Sequence, residues 1–298
     1  MNSTSNKILI TGGNGTVGKH LQAILPEAIY VDSKDFDLRD WLDTENLFET
    51  YKPDRVIHLA AKVGGIQDNI NKPAEYFDDN ILINTNVLKM CKWYNVKRCI
   101  GVLSTCIYPD SVSKYPMKEK DMFLGPPTKS NFSYGYAKRC LAVQINAYNE
   151  QYNTKYNYLV PCNLYSEYDN FNDENKMHFM TALLKKIKSS EKTLNLLGTG
   201  KPLRQFMYAG DLAKIIKKVL DNDITDSFNV APSENLSIDE MANISLNILN
   251  KNLKTKYFKP ELDGQFRKDV CNKKLLSHFP DFKFTGFKKG IKKVYNKI

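Results

Sequence analysis

An α/β fold with a doubly wound parallel sheet is predicted by three features of this 298-residue sequence. Short runs rich in β-branched residues alternate with segments whose apolar residues recur at helical spacing. A glycine-rich segment directly follows the first of these runs, Lys7–Ile10. Later runs end in small or polar residues, at Ala60 and at Ser104. Because ligands bind such sheets at the carboxyl ends of the strands, these segments are the candidates for a binding site.

The glycine-rich segment has a spacing that suits dinucleotide binding. Gly12 allows a tight turn, Gly15 lets backbone N–H groups approach a pyrophosphate, and Gly18 lets the following helix lie close to the strand. A helix over Lys19–Leu25 and a strand over Ala28–Val31 provide the structural context that this motif needs. A Rossmann-type domain that binds a nicotinamide dinucleotide is therefore predicted. The predicted cofactor contacts here are Gly12, Gly15, Thr16, Val17, Gly18 and Ala60.

Two residues after the second predicted strand indicate different cofactors. Asp32 lies where an acidic side chain would bind the adenosine ribose hydroxyls of NAD. Lys34 lies two residues later and would instead meet the 2′-phosphate of NADP. The residues alone leave the choice between NAD and NADP open.

A Ser, a Tyr and a Lys have the arrangement needed for proton exchange with an alcohol or ketone. Ser104 follows the predicted strand Arg98–Leu103, and Tyr134 and Lys138 are one helical turn apart on one face. The Ser hydroxyl can bind the substrate oxygen while the Tyr exchanges its proton. The Lys ammonium is expected to bind the nicotinamide ribose and to lower the pKa of the Tyr phenol.

The composition argues against several other classes of protein. The formal net charge is +10, yet no basic run is long enough to resemble a nucleic-acid-binding arm. The six cysteines show no CxxC pairing, so neither a metal site nor a disulfide framework is expected. No signal peptide is recognised, and no apolar run reaches the about 18 residues of a membrane span. We therefore expect a cytoplasmic protein with neither nucleic-acid nor membrane partners.

Several segments together resemble the extended short-chain dehydrogenase/reductases, and among these the GDP-L-fucose synthases. The combination of His58–Gly65 with Ser104–Pro109 is far more specific than the glycine segment or the Tyr-Lys pair. Sugar-nucleotide dehydratases of this superfamily carry an Asp-Glu pair where Cys106 and Ile107 stand, so an elimination reaction is not expected. The other resembling segments are Gly125–Pro127, Asn131–Lys138, Asn163–Tyr165, Asp169–Phe171, Gly198–Gly200, Arg204–Phe206 and Asp263–Lys268.

The resemblance implies a reaction and roles for named residues. The reaction is NADPH-dependent epimerisation at C3 and C5 and reduction at C4 of GDP-4-keto-6-deoxy-D-mannose, which yields GDP-L-fucose. Ser104, Tyr134 and Lys138 would form the reductase triad, and Cys106 and His178 would be the base and acid of the epimerisation. The family also carries a basic residue at the place of Lys34, which favours NADP.

Three of the candidate side chains have structural interpretations as well. An isolated Cys such as Cys106 is commonly a small buried hydrophobic residue. A lone His such as His178 is more often structural than catalytic, and only the family pattern indicates otherwise. His58 lies inside an apolar run, and we interpret it as a structural histidine.

The second half of the chain is predicted to hold the nucleotide sugar. Arg204 is a candidate for its diphosphate, because a guanidinium binds phosphate in a bidentate manner. Lys186 and Lys268 would add positive charge there, and Asn163 is a further candidate contact. The predicted Rossmann domain comprises residues 1–165 and 206–230, and the smaller C-terminal α/β substrate domain comprises residues 166–205 and 231–298.

Two departures from the family pattern concern the substrate side. Ser166 and Glu167 stand where family members have Gly-Pro, so a positive φ at Ser166 would be strained. Leu197 stands where some members have an aromatic residue. Both departures leave the exact sugar nucleotide open.

Other functions therefore remain as alternatives. One is a C4-reductase or epimerase for another nucleotide-activated 4-keto deoxysugar, a heptose or a dideoxyhexose. Another is a dinucleotide-binding sensor without turnover, although the intact candidate residues argue against it. A homodimer is expected by analogy, through the predicted helices Asn80–Met90 and Tyr134–Tyr148.

Overall fold

The computed structural model describes residues 6–172 and 177–298. Helices and strands largely alternate along the first half of the chain, as the sequence predicts. The helices are α1 (Thr16–Gln22), α2 (Trp41–Tyr51), α3 (Ile66–Asn71), α4 (Pro73–Trp93), α5 (Phe132–Tyr152), α6 (Phe179–Ser189), α7 (Ala209–Asp221), α8 (Ile238–Ile248), α9 (Lys273–His278) and α10 (Phe287–Tyr295). The strands are β1 (Ile8–Thr11), β2 (Ile29–Val31), β3 (Arg55–His58), β4 (Arg98–Val102), β5 (Asn157–Pro161), β6 (Asn163–Tyr165), β7 (Thr193–Leu197), β8 (Leu203–Arg204), β9 (Phe206–Tyr208), β10 (Phe228–Val230), β11 (Leu236–Ser237), β12 (Lys254–Phe258) and β13 (Arg267–Lys268).

A six-stranded sheet lies at the centre, in the order β10-β5-β4-β3-β1-β2. Every neighbouring pair in it is parallel. The strands that follow β1 in the chain are placed first on one side of it, as β2, and then on the other, from β3 onward. This switch point lies between β1 and β3, where Thr11 is in register with His58. Ligands of open parallel sheets bind at such a switch point, outside the carboxyl ends of the strands. The prediction of a doubly wound parallel sheet is confirmed.

The larger hydrophobic core surrounds this sheet. Strand residues such as Leu9, Ile57 and Ile100 are completely buried, as expected where helices cover a parallel sheet on both faces. Helix α1 contacts α7, whereas α4 contacts α5 and α2. The first helix begins at Thr16 and ends at Gln22, so its prediction over residues 19–25 was displaced by one turn.

A smaller core forms beside the sheet and includes Leu184, Leu196 and Ile291. Around it, β7 pairs with β12, and β8 pairs with both β11 and β13. Helix α8 starts with a capping box between Ser237 and Glu240, the start that its sequence predicts. Part of the C-terminal segment, including α9, packs against the larger core instead.

Across residues 6–172 and 177–298, none of the helices is both long and apolar enough to cross a membrane. In the same ranges, no group of three or more His, Cys, Asp or Glu side chains is arranged to hold a metal ion.

Candidate functional site

The glycine segment forms a tight turn between β1 and α1. Gly12 has φ +70°, and a Cβ there would lie 2.9 Å from the backbone nitrogen of Ala60. The Gly15 N–H donates to the Gly12 carbonyl at 3.0 Å, and Gly15 then serves as the N-cap of α1 without a side-chain cap. A Cβ on Gly18 would overlap the carbonyl of Gly13. Only glycines therefore allow this close approach of loop, helix and strand.

Thr16 and Val17 begin α1 and differ in their surroundings. Val17 is half-buried against the larger core. The Thr16 hydroxyl donates to Asp169 Oδ1 at 2.9 Å, although the two residues are far apart in sequence. Asp169 Oδ2 accepts from the Thr181 hydroxyl at 2.8 Å. The carboxylate of Asp169 therefore connects the glycine segment to the first turns of α6.

Asp32 and Lys34 both lie beyond the end of β2. Asp32 Oδ2 accepts from Asn14 Nδ2 at 2.5 Å, and Asp32 Oδ1 accepts from the Lys34 backbone N–H at 2.7 Å. The hydrogen bond from Asn14 is the largest cause of the lowered pKa of the Asp32 carboxyl. Both carboxylate oxygens thus have protein donors, while the side chain of Lys34 is exposed.

His58 is completely buried at the end of β3. Its Nδ1 lies 2.8 Å from the Thr11 hydroxyl, and its Nε2 lies 3.1 Å from Asn84 Oδ1. Burial lowers the pKa of the imidazole to about 3, so the ring is neutral at physiological pH. The geometry agrees with the interpretation of His58 as a structural histidine.

Ser104, Tyr134 and Lys138 come together where β4 and α5 meet. The Ser104 hydroxyl accepts from the Cys106 N–H at 3.2 Å and is also hydrogen-bonded to the Tyr134 phenol. Lys138 is only 2% exposed, and its ammonium donates to the Val102 carbonyl at 3.0 Å. The predicted constellation is therefore formed by one strand end and one helix.

The expectation that Lys138 lowers the pKa of Tyr134 was wrong for this structure. Burial raises the pKa of the Tyr134 phenol, the Cys106 charge adds to that rise, and the hydrogen bond with Ser104 opposes it. Burial also lowers the pKa of Lys138 to about 8. The physical reason is desolvation, which disfavours both the phenolate and the ammonium, while the ammonium is directed at a backbone carbonyl.

Cys106 lies at the same strand end, within a cluster of polar donors. Asn131 Nδ2 donates to its sulfur at 2.8 Å, and the Lys268 ammonium donates to it at 3.2 Å. Arg204 is close enough that the charge of Cys106 acts on its guanidinium, whose pKa is lowered chiefly by burial. Asn131 was missed as a candidate from sequence, although it opens the segment that carries Tyr134.

His178 is the N-cap residue of α6, and solvent reaches its side chain. The surrounding protein nevertheless lowers the pKa of the imidazole through desolvation, while the nearby Asp169 carboxylate opposes that effect. His178 therefore lies near the carboxylate that also contacts Thr16 of the glycine segment. Asp169 was also missed from sequence as an individual candidate, although it lies in one of the resembling segments.

The four candidates for substrate binding do not all lie together. Arg204 and Lys268 occupy paired positions on β8 and β13, next to Cys106. Asn163 on β6 donates to the Gln205 carbonyl at 2.9 Å. The Lys186 ammonium, on α6, donates to the Asn195 carbonyl at 3.0 Å on the exposed side of the smaller core.

Ser166 fits its position without the strain considered from sequence. It is not among the described non-glycine residues with positive φ, and its side chain is completely buried. The hydroxyl lies 2.9 Å from His20 Nε2 and accepts from the Tyr168 N–H at 3.1 Å. The departure from Gly is thus accommodated by polar contacts inside the protein. Leu197, the other departure, is 58% exposed.

Comparison with known proteins agrees with this architecture. Residues 8–231 match the NAD dependent epimerase/dehydratase family. A GDP-L-fucose synthase from Dictyostelium discoideum is 38% identical, over 98% of this chain and 95% of the relative. A crystal structure of a GDP-L-fucose synthetase from Naegleria fowleri bound to NADP has a TM-score of 0.88 and 33% identity, over 99% of this chain and 93% of that chain. A GDP-6-OMe-4-keto-L-xylo-heptose reductase from C. jejuni has a TM-score of 0.90 and 25% identity, over 99% and 97%.

The fold, the glycine segment and the strand-end site define a dinucleotide-dependent enzyme of the short-chain dehydrogenase/reductase type. The chain belongs to the NAD dependent epimerase/dehydratase family, and within it the sequence groups with the GDP-L-fucose synthases.

Proposed function

We propose that this protein is a GDP-L-fucose synthase, which epimerises C3 and C5 of GDP-4-keto-6-deoxy-D-mannose and reduces C4 with NADPH. The observation that carries the proposal is the placement of Cys106 beside the Ser104–Tyr134 hydrogen bond. A proton-exchanging phenol and a thiol at one strand end suit a single site for both reactions. Similarity to a GDP-L-fucose synthase over almost the whole chain supports the same substrate.

The residues around the glycine segment fit NADP(H), which supplies a hydride when it is bound. Gly12 and Gly18 let the loop lie close to the end of β3 and to α1, and the backbone N–H groups at the start of α1 then suit a pyrophosphate. The exposed Lys34 suits the 2′-phosphate, since the Asp32 carboxylate is already engaged by Asn14. Lys138, next to Tyr134, would bind the nicotinamide ribose.

The epimerisation depends on the acidity of the carbons beside the C4 ketone. We assign proton removal from these carbons to Cys106 and proton return on the opposite face to His178. Loss of a proton from C3 or C5 places negative charge on the C4 oxygen. The Ser104 and Tyr134 hydroxyls would hold that oxygen, because donors aimed at developing charge stabilise it.

The reduction then uses the same hydroxyl pair. Tyr134 would give its proton to the C4 oxygen as C4 becomes an alcohol, and Ser104 would hold the oxygen in place. The raised pKa of Tyr134 means that the phenol keeps its proton until this step.

The GDP moiety would lie on the side of the smaller core. Arg204 is half-buried and remains our first candidate for the diphosphate, with Asn163 and Lys186 as further contacts. The net charge of +10 favours an anionic substrate of this kind.

We further propose a homodimer and a cytoplasmic location. The long helices α4 and α5 contact each other and carry exposed apolar side chains, among them Phe77, Leu82 and Val143. A second copy that contributes the same two helices would cover these side chains in an isologous interface. All six cysteines are free thiols, which is usual in a reducing compartment.

A C4-reductase for a nucleotide-activated heptose is the second candidate. The similarity in fold to the C. jejuni heptose reductase favours it, since that protein has a TM-score of 0.90. A reductase without epimerisation would need Tyr134 and Ser104 but would have no use for a thiol base at Cys106.

The test is NADPH oxidation with GDP-4-keto-6-deoxy-D-mannose, followed by absorbance, with the product identified by NMR. The expected product is GDP-L-fucose, and a Cys106→Ser variant is expected to lose epimerisation while it still reduces C4. A product reduced at C4 but unchanged at C3 and C5 would contradict the roles of Cys106 and His178. Turnover of only a GDP-4-keto-heptose would favour the second candidate, and cofactor binding without any turnover would favour a sensor.

A further inference from the structure

Lys268 is a buried lysine whose ammonium faces a thiol. It lies on β13, which pairs in parallel with β8, and it is 9% exposed. Its Nζ lies 3.2 Å from Cys106 Sγ. The adjacent carboxylate, Asp269, forms an ion pair with Arg267, with 2.6 Å between Arg267 Nε and Asp269 Oδ1. Within residues 6–172 and 177–298, no carboxylate lies at ion-pair distance from Lys268.

A buried ammonium without a counter-ion is unfavourable, because the charge has lost its hydration. A neutral thiol is only a weak acceptor and gives little compensation, whereas a thiolate carries a full opposite charge. The sulfur of Cys106 also receives the amide N–H of Asn131 at 2.8 Å. Two donors directed at one sulfur are the arrangement expected for a thiolate.

We propose that Lys268 is a positioning residue that holds Cys106 as a thiolate, rather than primarily a ligand of the substrate diphosphate. The inference rests on the proposed function for its role in catalysis, because a thiolate is the form of Cys106 that removes a proton from C3 or C5. In that step the C–H bond breaks, the proton passes to Sγ, and the electron pair enters the enolate at C4. Lys268 donates to the sulfur and takes no part in the proton transfer.

The experiment measures alkylation of Cys106 by iodoacetamide as a function of pH, without substrate or cofactor. Only the thiolate reacts, so the midpoint of the pH–rate curve reports how readily the thiol ionises. Peptide mapping by mass spectrometry assigns the reaction to Cys106, since Cys140 and Cys271 are also partly accessible. Cys106→Ser protein checks the assignment.

Lys268→Met is expected to move the midpoint upward by about one pH unit and to slow alkylation roughly tenfold below the midpoint. Lys268→Arg keeps the charge and should preserve most of the reactivity, which separates loss of charge from loss of folding. Lys201→Met removes an exposed lysine and is the matched control, with no expected change. An unchanged midpoint in folded Lys268→Met protein would overturn the inference.

Steady-state kinetics distinguish this role from diphosphate binding. A positioning role predicts that Lys268→Met lowers kcat for epimerisation at neutral pH and that raising the pH partly restores it. A diphosphate ligand predicts a higher KM at every pH, with the alkylation curve unchanged, and that result would contradict the inference. Failure of the proposed function would appear separately, as absence of turnover in the unsubstituted protein, because alkylation needs no sugar nucleotide.

Discussion

The two halves of the candidate site are constructed in different ways. The dinucleotide half is one continuous segment in which Gly12, Gly15 and Gly18 bring backbone close to backbone. The half around Cys106 consists of side chains that arrive from separate parts of the chain, including Asn131 and Lys268. A substitution that adds a Cβ is therefore expected to impair the first half. A substitution that removes one polar atom is expected to impair the second half.

This difference determines which experiments are informative. A site built from backbone binds through N–H and C=O groups, which a side-chain substitution does not remove. Such a site is tested by replacing a glycine with a residue whose side chain occupies the space. A side-chain-built site is tested by removing one donor or one charge while the shape is preserved. Variants in the dinucleotide half should therefore weaken cofactor binding, whereas variants in the half around Cys106 should slow the chemical steps.

Tyr134→Phe should give the largest effect, because it removes the proposed proton donor and leaves the ring in place. The rate of C4 reduction is expected to fall by roughly 10²–10⁴-fold, the usual contribution of general acid catalysis. NADPH affinity, measured by fluorescence titration, should change little. Proton exchange at C3 and C5 with deuterated solvent, followed by NMR, should continue at a reduced rate. A large loss of cofactor affinity would show that the two halves are not separable.

Gly18→Ala tests the backbone-built half. The new Cβ would overlap the Gly13 carbonyl, so the loop or α1 must shift. Overpacking of this kind costs about 1–3 kcal/mol, and we expect both weaker NADPH binding and a lower Tm. Gly286→Ala is the matched control, since nothing lies within 4 Å of a Cβ there. Equal behaviour of the two variants would show that the close approach at Gly18 has no energetic importance.

The fold could be predicted from sequence where local patterns determine it. The strand β1 and the glycine segment are contiguous, and Ser237 with Glu240 encodes the start of α8 within one turn. The central strand β5 was not predicted, because its apolar run is short and ends in Pro161, a residue that argues against a central strand. Its place in the sheet comes from long-range pairing with β4 and β10.

The candidate site could be predicted only in part, for a related reason. Tyr134 and Lys138 are four residues apart in one helix, α5, so the sequence alone predicts that they lie on the same face. The contact between Lys268 and Cys106 joins residues that are distant in sequence, and it depends on how β13 pairs with β8. The burial that raises the pKa of Tyr134 is likewise a property of the assembled fold.

His58 lies next to the dinucleotide half, in contact with Thr11, and predicts a pH dependence of stability. Its pKa is lowered from 6.5 to about 3 in the folded protein, so between these values the unfolded chain binds the extra proton. Stability is therefore complete above about pH 6.5 and falls as the pH decreases, by about 1.4 kcal/mol per pH unit from this group. Urea unfolding from pH 7 to pH 5 should show this slope, and His58→Gln should remove it while lowering stability at pH 7. An identical slope in both proteins would contradict the buried neutral histidine.

Lys34→Met tests whether one exposed side chain adds specificity to the backbone-built half. Because Asn14 and the Lys34 N–H already engage the Asp32 carboxylate, the Lys34 ammonium is the candidate for the 2′-phosphate. An exposed charge pair is worth about 1 kcal/mol at most, so NADPH affinity should fall roughly fivefold, and less at high salt. NADH affinity should stay the same, because NADH has no 2′-phosphate. A parallel loss of affinity for both cofactors would mean that Lys34 stabilises the loop, and preference for NADPH would then have to come from other residues.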